Sequence, residues 1–98
     1  MLMKFFSYFL QPKYMVEVQC FDAEGKALRP IFKRVSGGHL PRVDEDYLVP
    51  DGLVGATVKA VRHNRFREGE VAIEVMCSTK FAYDSFATAG WGKLASAT

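Results

Sequence analysis

The residues best suited to ligand-binding chemistry stand together in one short basic segment. The segment Arg62-His63-Asn64-Arg65-Phe66-Arg67 places three arginines around one aromatic side chain. An arginine binds phosphate through two parallel hydrogen bonds, and an exposed aromatic ring stacks on a nucleobase. Two further basic residues of a neighbouring predicted strand add to the set if they lie on the same side. The sequence therefore supports a hypothesis of nucleic-acid binding through Arg62, Arg65, Phe66, Arg67, Lys33 and Arg34.

The same segment has a second interpretation, as the solvated tip of a hairpin. Its arginines would then pair with acidic residues of the same chain, and Phe66 would fold back on the protein. The candidate partners are Glu68, Glu70 and the run 44–46. Thirteen basic and eleven acidic residues give the chain a net charge of only +2, which provides little general attraction to nucleic acid. We favour the hairpin tip.

Residues for catalysis or metal binding are sparse. His39 and His63 stand in predicted loops with no nucleophile motif beside them. The paired-cysteine and paired-histidine spacings of metal sites do not occur in the sequence. The acidic run Asp44-Glu45-Asp46 lacks the glycine and the later glutamate of a calcium loop, and it predicts a solvated strand entry. We therefore expect a protein that is not an enzyme and that carries no metal or cofactor.

The two cysteines, Cys20 and Cys77, bear on the cellular compartment. A small secreted domain held together by disulfides carries more of them. Both fall on the apolar positions of predicted strands, where a free thiol packs as a small hydrophobic group. If these strands pair antiparallel, the cysteines lie at opposite ends of the ladder, too far apart to form a bridge. We predict buried free thiols and a cytoplasmic location.

Aromatic residues are concentrated towards both ends of the chain. The interior of a five-stranded barrel is too small to enclose all of these rings together with the strand residues. They either cover the open mouths of the barrel or form an interface with another subunit or a protein partner. A pocket for a small ligand is a third hypothesis. The interface hypothesis assigns Phe5, Phe6, Phe9, Phe81, Tyr83, Phe86 and Trp91.

Alternation of apolar and polar residues predicts five short strands. The clearest are the first and the fifth, Tyr14 to Cys20 and Val71 to Cys77. A polar turn over 22–26 joins the first strand to a second in a hairpin, and Pro30 requires that second strand to lie at an edge or carry a bulge. A third strand covers 47–49 and a fourth covers 54–62. Val61 breaks the alternation of the fourth strand, as happens at a bulge.

The predicted terminal elements complete a single domain. The spacing of polar residues over 2–11 favours a short N-terminal helix that ends at Pro12, with an extended segment as the alternative. Thr79 predicts the cap of a short C-terminal helix. No apolar stretch approaches the ~18 residues of a membrane span, and no signal peptide is indicated. We expect one domain over 1–98, with an apolar helix or arm at 1–12, a barrel core at 13–78 and a C-terminal segment at 79–98.

Residues 43–61, which read VDEDYLVPDGLVGATVKAV, resemble the middle of SH3-like barrels, including the KOW type. The stretch has a polar start, a short strand, a glycine turn, a second glycine and a Val-x-x-Val strand. It covers about a fifth of the chain. The resemblance implies a small barrel and, for the KOW type, a role at the ribosome or in transcription. We predict a mainly β fold, either a five-stranded SH3-like barrel or a strongly curved antiparallel sheet, with a short N-terminal helix and a short C-terminal helix or turn.

Overall fold

A computed structural model describes residues 13–36, 39–48 and 54–93, which form one five-stranded sheet and a helix. The sheet curls into a half-barrel, and its strands lie in the order β2-β1-β5-β4-β3. The mainly β prediction and the C-terminal helix are confirmed, whereas the predicted N-terminal helix lies outside the described residues. The elements are β1 (Lys13–Gln19), β2 (Ile31–Ser36), β3 (Asp46–Leu48), β4 (Val54–His63), β5 (Val71–Cys77) and α1 (Lys80–Thr88).

The first hairpin forms as the sequence predicts. β1 and β2 are antiparallel, with Tyr14 opposite Val35. One Asp22 carboxylate oxygen accepts hydrogen bonds from the backbone N–H groups of Glu24 and Lys26, at 2.9 and 2.8 Å, which closes the turn between the strands. β2 is an edge strand that begins directly after Pro30, so the missing amide proton of the proline interrupts no ladder.

The centre of the sheet differs from the sequence prediction. β1 and β5 run parallel, with Val16 opposite Ile73, while the other strand pairs are antiparallel. The expectation that Cys20 and Cys77 lie at opposite ends of an antiparallel ladder is therefore wrong. Alternation fixes which face a side chain takes but not the direction in which two distant strands pair, because both directions bury the same residues.

The parallel pair gives the sheet two distinct ends. β1 and β5 begin at one end, which we call the loop end, because the segment 64–70 between β4 and β5 lies there. They finish at the other end, where α1 follows β5, and we call this the helix end. β3 also runs towards the helix end, since β3 and β5 are each antiparallel to β4.

The main core lies between one face of the sheet and α1. The Thr79 hydroxyl accepts a hydrogen bond from the Ala82 N–H at 3.2 Å and caps the helix as predicted. Phe86 of α1 packs against Trp91, with 4.8 Å between ring centroids. Among the described residues, no helix is long and apolar enough to cross a membrane. The buried core residues are Tyr14, Val16, Val18, Cys20, Ile31, Ala56, Val58, Ile73, Val75, Cys77, Ala82, Phe86 and Trp91.

A bulge in β4 changes which side chains face the core. The register shifts between Val58 and Ala60, so that one extra residue is inserted in β4. Val58 faces the core before the bulge, and Val61 lies opposite the core residue Ile73 after it. This confirms the irregularity that Val61 indicated in the sequence. The shift also moves Arg62 to the second face of the sheet, away from α1.

The chain that follows α1 returns to the outer edge of β2. Phe32 and Gly92 exchange two backbone hydrogen bonds, Phe32 N–H to Gly92 oxygen at 2.7 Å and Gly92 N–H to Phe32 oxygen at 3.3 Å. The Lys33 ammonium group lies 5.9 Å from the centroid of the Trp91 ring, on the core side of the same strand. The C-terminal segment is thereby attached to the sheet by backbone and side-chain contacts.

Phe86 is the large buried side chain with which α1 covers the core. Its truncation therefore tests the fold. Phe86→Ala should lower the free energy of unfolding by about 3–5 kcal/mol, because it leaves a cavity beside Trp91. Urea unfolding of a dilute sample measures the change. Phe81, exposed on the same helix, is the matched control, and Phe81→Ala should stay within about 0.5 kcal/mol of the parent. Equal losses for the two variants would contradict this packing.

Candidate functional site: the second face and the two ends of the sheet

Two acidic side chains are buried on the second face of the sheet. Glu17 of β1 and Glu74 of β5 are paired across the parallel ladder, and only 3% and 7% of their surfaces are exposed. Met15 and Ala72 are buried beside them on the same face. Two neighbouring carboxylates removed from water require compensating positive charge and hydrogen bonds. The stability of the second face therefore depends on the groups that supply this positive charge.

Arginines at the loop end supply the compensating charge. The Arg65 guanidinium donates a hydrogen bond to Glu74 Oε2, and its Nη1 lies 3.2 Å from Glu17 Oε1. Arg62 donates from Nε to the same Glu74 oxygen. The side-chain amide of Gln19 donates to the other Glu17 oxygen at 2.8 Å. We call Glu17, Glu74, Arg62 and Arg65 the carboxylate cluster.

The backbone of the segment 64–70 is shaped to hold Arg65 over the sheet. Asn64 and Gly69 both take positive φ angles, 61° and 79°, a conformation that glycine and asparagine tolerate best. The Asn64 side-chain oxygen accepts a hydrogen bond from the Gly69 N–H at 2.7 Å, and the Asn64 N–H donates to the Glu70 oxygen at 2.9 Å. These bonds close the loop, so its basic residues are carried on a defined backbone.

The aromatic residue of this loop is folded back on the protein. Phe66 meets Phe32 of β2 edge to face, with 5.5 Å between centroids, and the Arg65 guanidinium carbon lies 5.0 Å from the Phe66 ring centroid. Phe66 thus packs back on the protein, as the hairpin-tip interpretation predicts. The acidic partners of Arg62 and Arg65 are Glu17 and Glu74 of the sheet, which that interpretation did not include.

The remaining residues of the nucleic-acid hypothesis are divided between two places. Arg34 and Arg67 border one cleft of about 290 Å³ at the loop end, where Arg34 Nε lies 2.9 Å from Glu70 Oε2. Lys33, the neighbour of Arg34 in β2, lies on the core side against Trp91. The structure thus brings Arg34 and Arg67 together and separates Lys33 from them. The cleft is lined by Lys13, Arg34, Val35, Ser36, Arg67 and Glu70.

The residues of the interface hypothesis also take different environments. Phe86 and Trp91 are buried in the core, and Tyr83 is half-buried, its hydroxyl donating to the Arg29 carbonyl oxygen at 2.7 Å. Phe81 is 65% exposed. Phe5, Phe6 and Phe9 lie outside the described residues.

Two apolar residues that the sequence did not single out share the exposure of Phe81. Phe21, two residues beyond β1, is 53% exposed, and Leu48, the last residue of β3, is 61% exposed. Because β1, β3 and β5 all finish at the helix end, Phe21, Leu48 and Phe81 are displayed at that end. We call these three residues the apolar patch. Phe21 follows the end of a strand pattern and Leu48 lies within one, and alternation alone does not distinguish an exposed apolar residue at such a position from a core residue.

A larger cavity opens beside β3. Its volume is about 490 Å³, and it lies next to Tyr14 and Tyr47, whose phenol groups are hydrogen-bonded to each other. Burial is the main cause that raises the pKa of Tyr47 to about 12, so the phenol stays protonated at neutral pH. Among the described residues, no three metal-binding side chains gather into a cluster, here or elsewhere. The lining consists of Tyr14, His39, Pro41, Glu45, Asp46, Tyr47 and Leu48.

The acidic run before β3 is organised as a turn. Asp44 has a positive φ of 73°, and its N–H donates to the Val58 oxygen at 2.8 Å. The Glu45 carboxylate accepts from the Arg42 N–H at 2.6 Å. These bonds start the pairing of β3 with β4, so the run leads into a strand as the sequence predicts.

Comparison with known proteins gives no relative from which function can be transferred, since no family model, no curated protein and no solved structure matches the chain.

The carboxylate cluster predicts unequal roles for two arginines that are two residues apart. Arg65→Ala should lower the free energy of unfolding by about 2 kcal/mol, because it leaves two buried carboxylates short of positive charge at a partly exposed site. Arg67→Ala, the matched control on the cleft, should change it by less than about 0.5 kcal/mol. Chemical denaturation measures both.

A second-site change tests whether the Arg65 effect acts through charge. Glu17→Gln removes one of the two buried negative charges and should restore part of the stability that Arg65→Ala loses. Additive losses in the double variant would show that Glu17 and Arg65 are not coupled.

Proposed function

We propose that the protein is a non-catalytic, small barrel-like interaction module that binds a second copy of itself through the apolar patch at the helix end. The observation that carries the proposal is the exposure of Phe21, Leu48 and Phe81, which reach the same end of one sheet from three different elements. Large apolar side chains exposed at one end of a fold are candidates for a protein interface.

The surroundings of the apolar patch support a protein interface. Lys80 and Asp84 form an exposed ion pair at 3.1 Å on α1, and the Asp22 turn lies directly beyond Phe21. An apolar centre with polar residues around it is the usual anatomy of a protein–protein interface. A patch of this kind is self-complementary when two copies meet about a twofold axis, so no second partner is required.

The SH3-like resemblance bears on the fold of the proposed module. Residues 43–61 include β3 and most of β4, and this hairpin carries Leu48 to the helix end. We propose a small barrel of the SH3-like kind in which this hairpin supplies part of the interface.

Self-association should be visible directly in solution. Light scattering over a concentration series should give a dimer or larger species for the parent chain. The triple variant Phe21→Ser, Leu48→Ser, Phe81→Ser should be monomeric at the same concentrations, since it removes the apolar surface whose burial favours association.

A matched control separates the patch from general surface hydrophobicity. Val43 is an exposed apolar residue before β3, away from the helix end, and Val43→Ser should leave association unchanged. Circular dichroism should show the same fold in all variants. A parent chain that remains strictly monomeric at high concentration would refute self-association.

A second candidate function is weak binding of nucleic acid at the loop-end cleft. Lys13, Arg34 and Arg67 line this cleft from β1, β2 and the 64–70 loop, against the single carboxylate of Glu70. This arrangement favours phosphate groups, which attract several cations at once. Phe66 is packed on Phe32, so we propose backbone contacts rather than base stacking.

Anisotropy of a labelled single-stranded oligonucleotide over a salt series tests the second candidate. Affinity should fall with salt, with a slope of roughly 0.7 per phosphate contact. Lys13→Glu with Arg67→Glu should abolish binding. Lys26→Glu with Lys80→Glu changes the net charge equally at the opposite end and should leave most of the binding. Equal loss in the two double variants would assign the effect to net charge, and no binding at low salt would remove this candidate.

A further inference from the structure

The parallel pairing of β1 with β5 brings the two cysteines to corresponding positions. The register runs through Val18 opposite Val75 and Gln19 opposite Met76. One step further along each chain stand Cys20 and Cys77. Residues two positions apart share a face, so both thiols lie on the core side with Val18 and Val75. Both cysteines belong to the core, with 2% and 5% of their surfaces exposed.

The spacing of adjacent strands suits a covalent bridge between these residues. Neighbouring strands lie about 4.8 Å apart, and a disulfide requires roughly 4.4–6.8 Å between the two Cα atoms. The pKa values of the two thiols reflect their environment. Burial and, to a lesser degree, the neighbouring Cys20 raise the pKa of Cys77 to about 12, and burial raises the pKa of Cys20.

We propose that Cys20 and Cys77, which are free thiols in the structure, form an intramolecular disulfide by exchange with a small-molecule disulfide such as oxidised glutathione. One cysteine thiolate attacks oxidised glutathione, forms a mixed disulfide and releases one glutathione thiolate. The second cysteine loses its proton to solvent and attacks the protein sulfur of the mixed disulfide, which expels the second glutathione. Two protein thiols are oxidised, and one oxidised glutathione is reduced to two reduced molecules.

The environment of the pair determines when the exchange occurs. Little thiolate is present at neutral pH, and Ala82 and Phe86 of α1 belong to the same buried core as both cysteines, so the folded chain reacts slowly. Exchange is faster when the helix end opens or before the chain has folded. Once formed, the disulfide joins the end of β1 to the end of β5. It resists reduction because reductants have little access to the buried sulfur atoms.

The experiment uses the full chain in glutathione buffers of varied ratio at mildly alkaline pH. One sample stays folded, and another is unfolded in urea and refolded in the same buffer. Alkylation of the remaining thiols and mass spectrometry then follow. We expect the refolded parent to lose two hydrogen atoms, to resist alkylation and to yield a cross-linked peptide pair containing Cys20 and Cys77. The folded sample should reach the same state more slowly.

Single variants provide the controls. Cys20→Ala and Cys77→Ala preserve an apolar core position, and each should stop at a glutathione adduct on the remaining cysteine. The oxidised parent should also unfold at a higher urea concentration than its reduced form, a shift that neither variant shows. Refolding in oxidised glutathione that leaves both parent thiols alkylatable, or that gives a separate adduct on each cysteine, would overturn the proposal.

Discussion

The parallel pairing of β1 with β5 is the constraint on which the rest of the structure depends. It joins two antiparallel units, the β1–β2 hairpin and the β3–β4–β5 meander, into one sheet. The same register sets Glu17 beside Glu74 on one face and leads Cys20 and Cys77 to the same end on the other. It also separates a basic loop end from a helix end with exposed apolar residues. Each feature considered for function follows from this one junction.

The carboxylate cluster explains why the basic loop is built as it is. Isolated buried carboxylates are costly, and the cost falls only when a cation is held close with defined geometry. The positive φ angles of Asn64 and Gly69 and their mutual hydrogen bond provide that geometry for Arg65. The bulge in β4 provides it for Arg62. Arg62 and Arg65 thus neutralise the carboxylates of the sheet, while Arg34 and Arg67 border the separate cleft at the loop end.

Local sequence patterns predicted the structural features that depend on interactions between residues close together in the chain. Alternation located β1, β4 and β5, the polar turn over 22–26 gave the first hairpin, and Thr79 marked the start of α1. The irregularity at Val61 indicated the bulge. These features depend on residues a few positions apart, so one sequence contains enough information to place them.

Contacts between residues that are far apart in the chain could not be predicted from the sequence, and the reason is physical. The direction of β1 against β5 depends on how two antiparallel units that are distant in the chain meet, and both directions bury the same apolar side chains. Glu17 and Glu74 occupy the polar positions of their strands, which look solvated until a loop covers them. A hint was present, since Ala72 and Met76 share the face of Glu74, and a fully solvated face seldom carries such neighbours. The apolar patch needed the same topology before its three members could be related.

The contact of the C-terminal segment with β2 affects how readily the protein aggregates in a concentrated solution. An uncovered edge strand is a template on which another chain can grow a sheet, and growth of that kind leads to fibrils. The reciprocal hydrogen bonds between Phe32 and Gly92 occupy the backbone groups of that edge strand at one position, and the ring of Trp91 anchors the segment that makes them. A polypeptide released or cleaved before Trp91 would present this edge bare. This part of the protection of the β2 edge therefore forms only after the helix has been made.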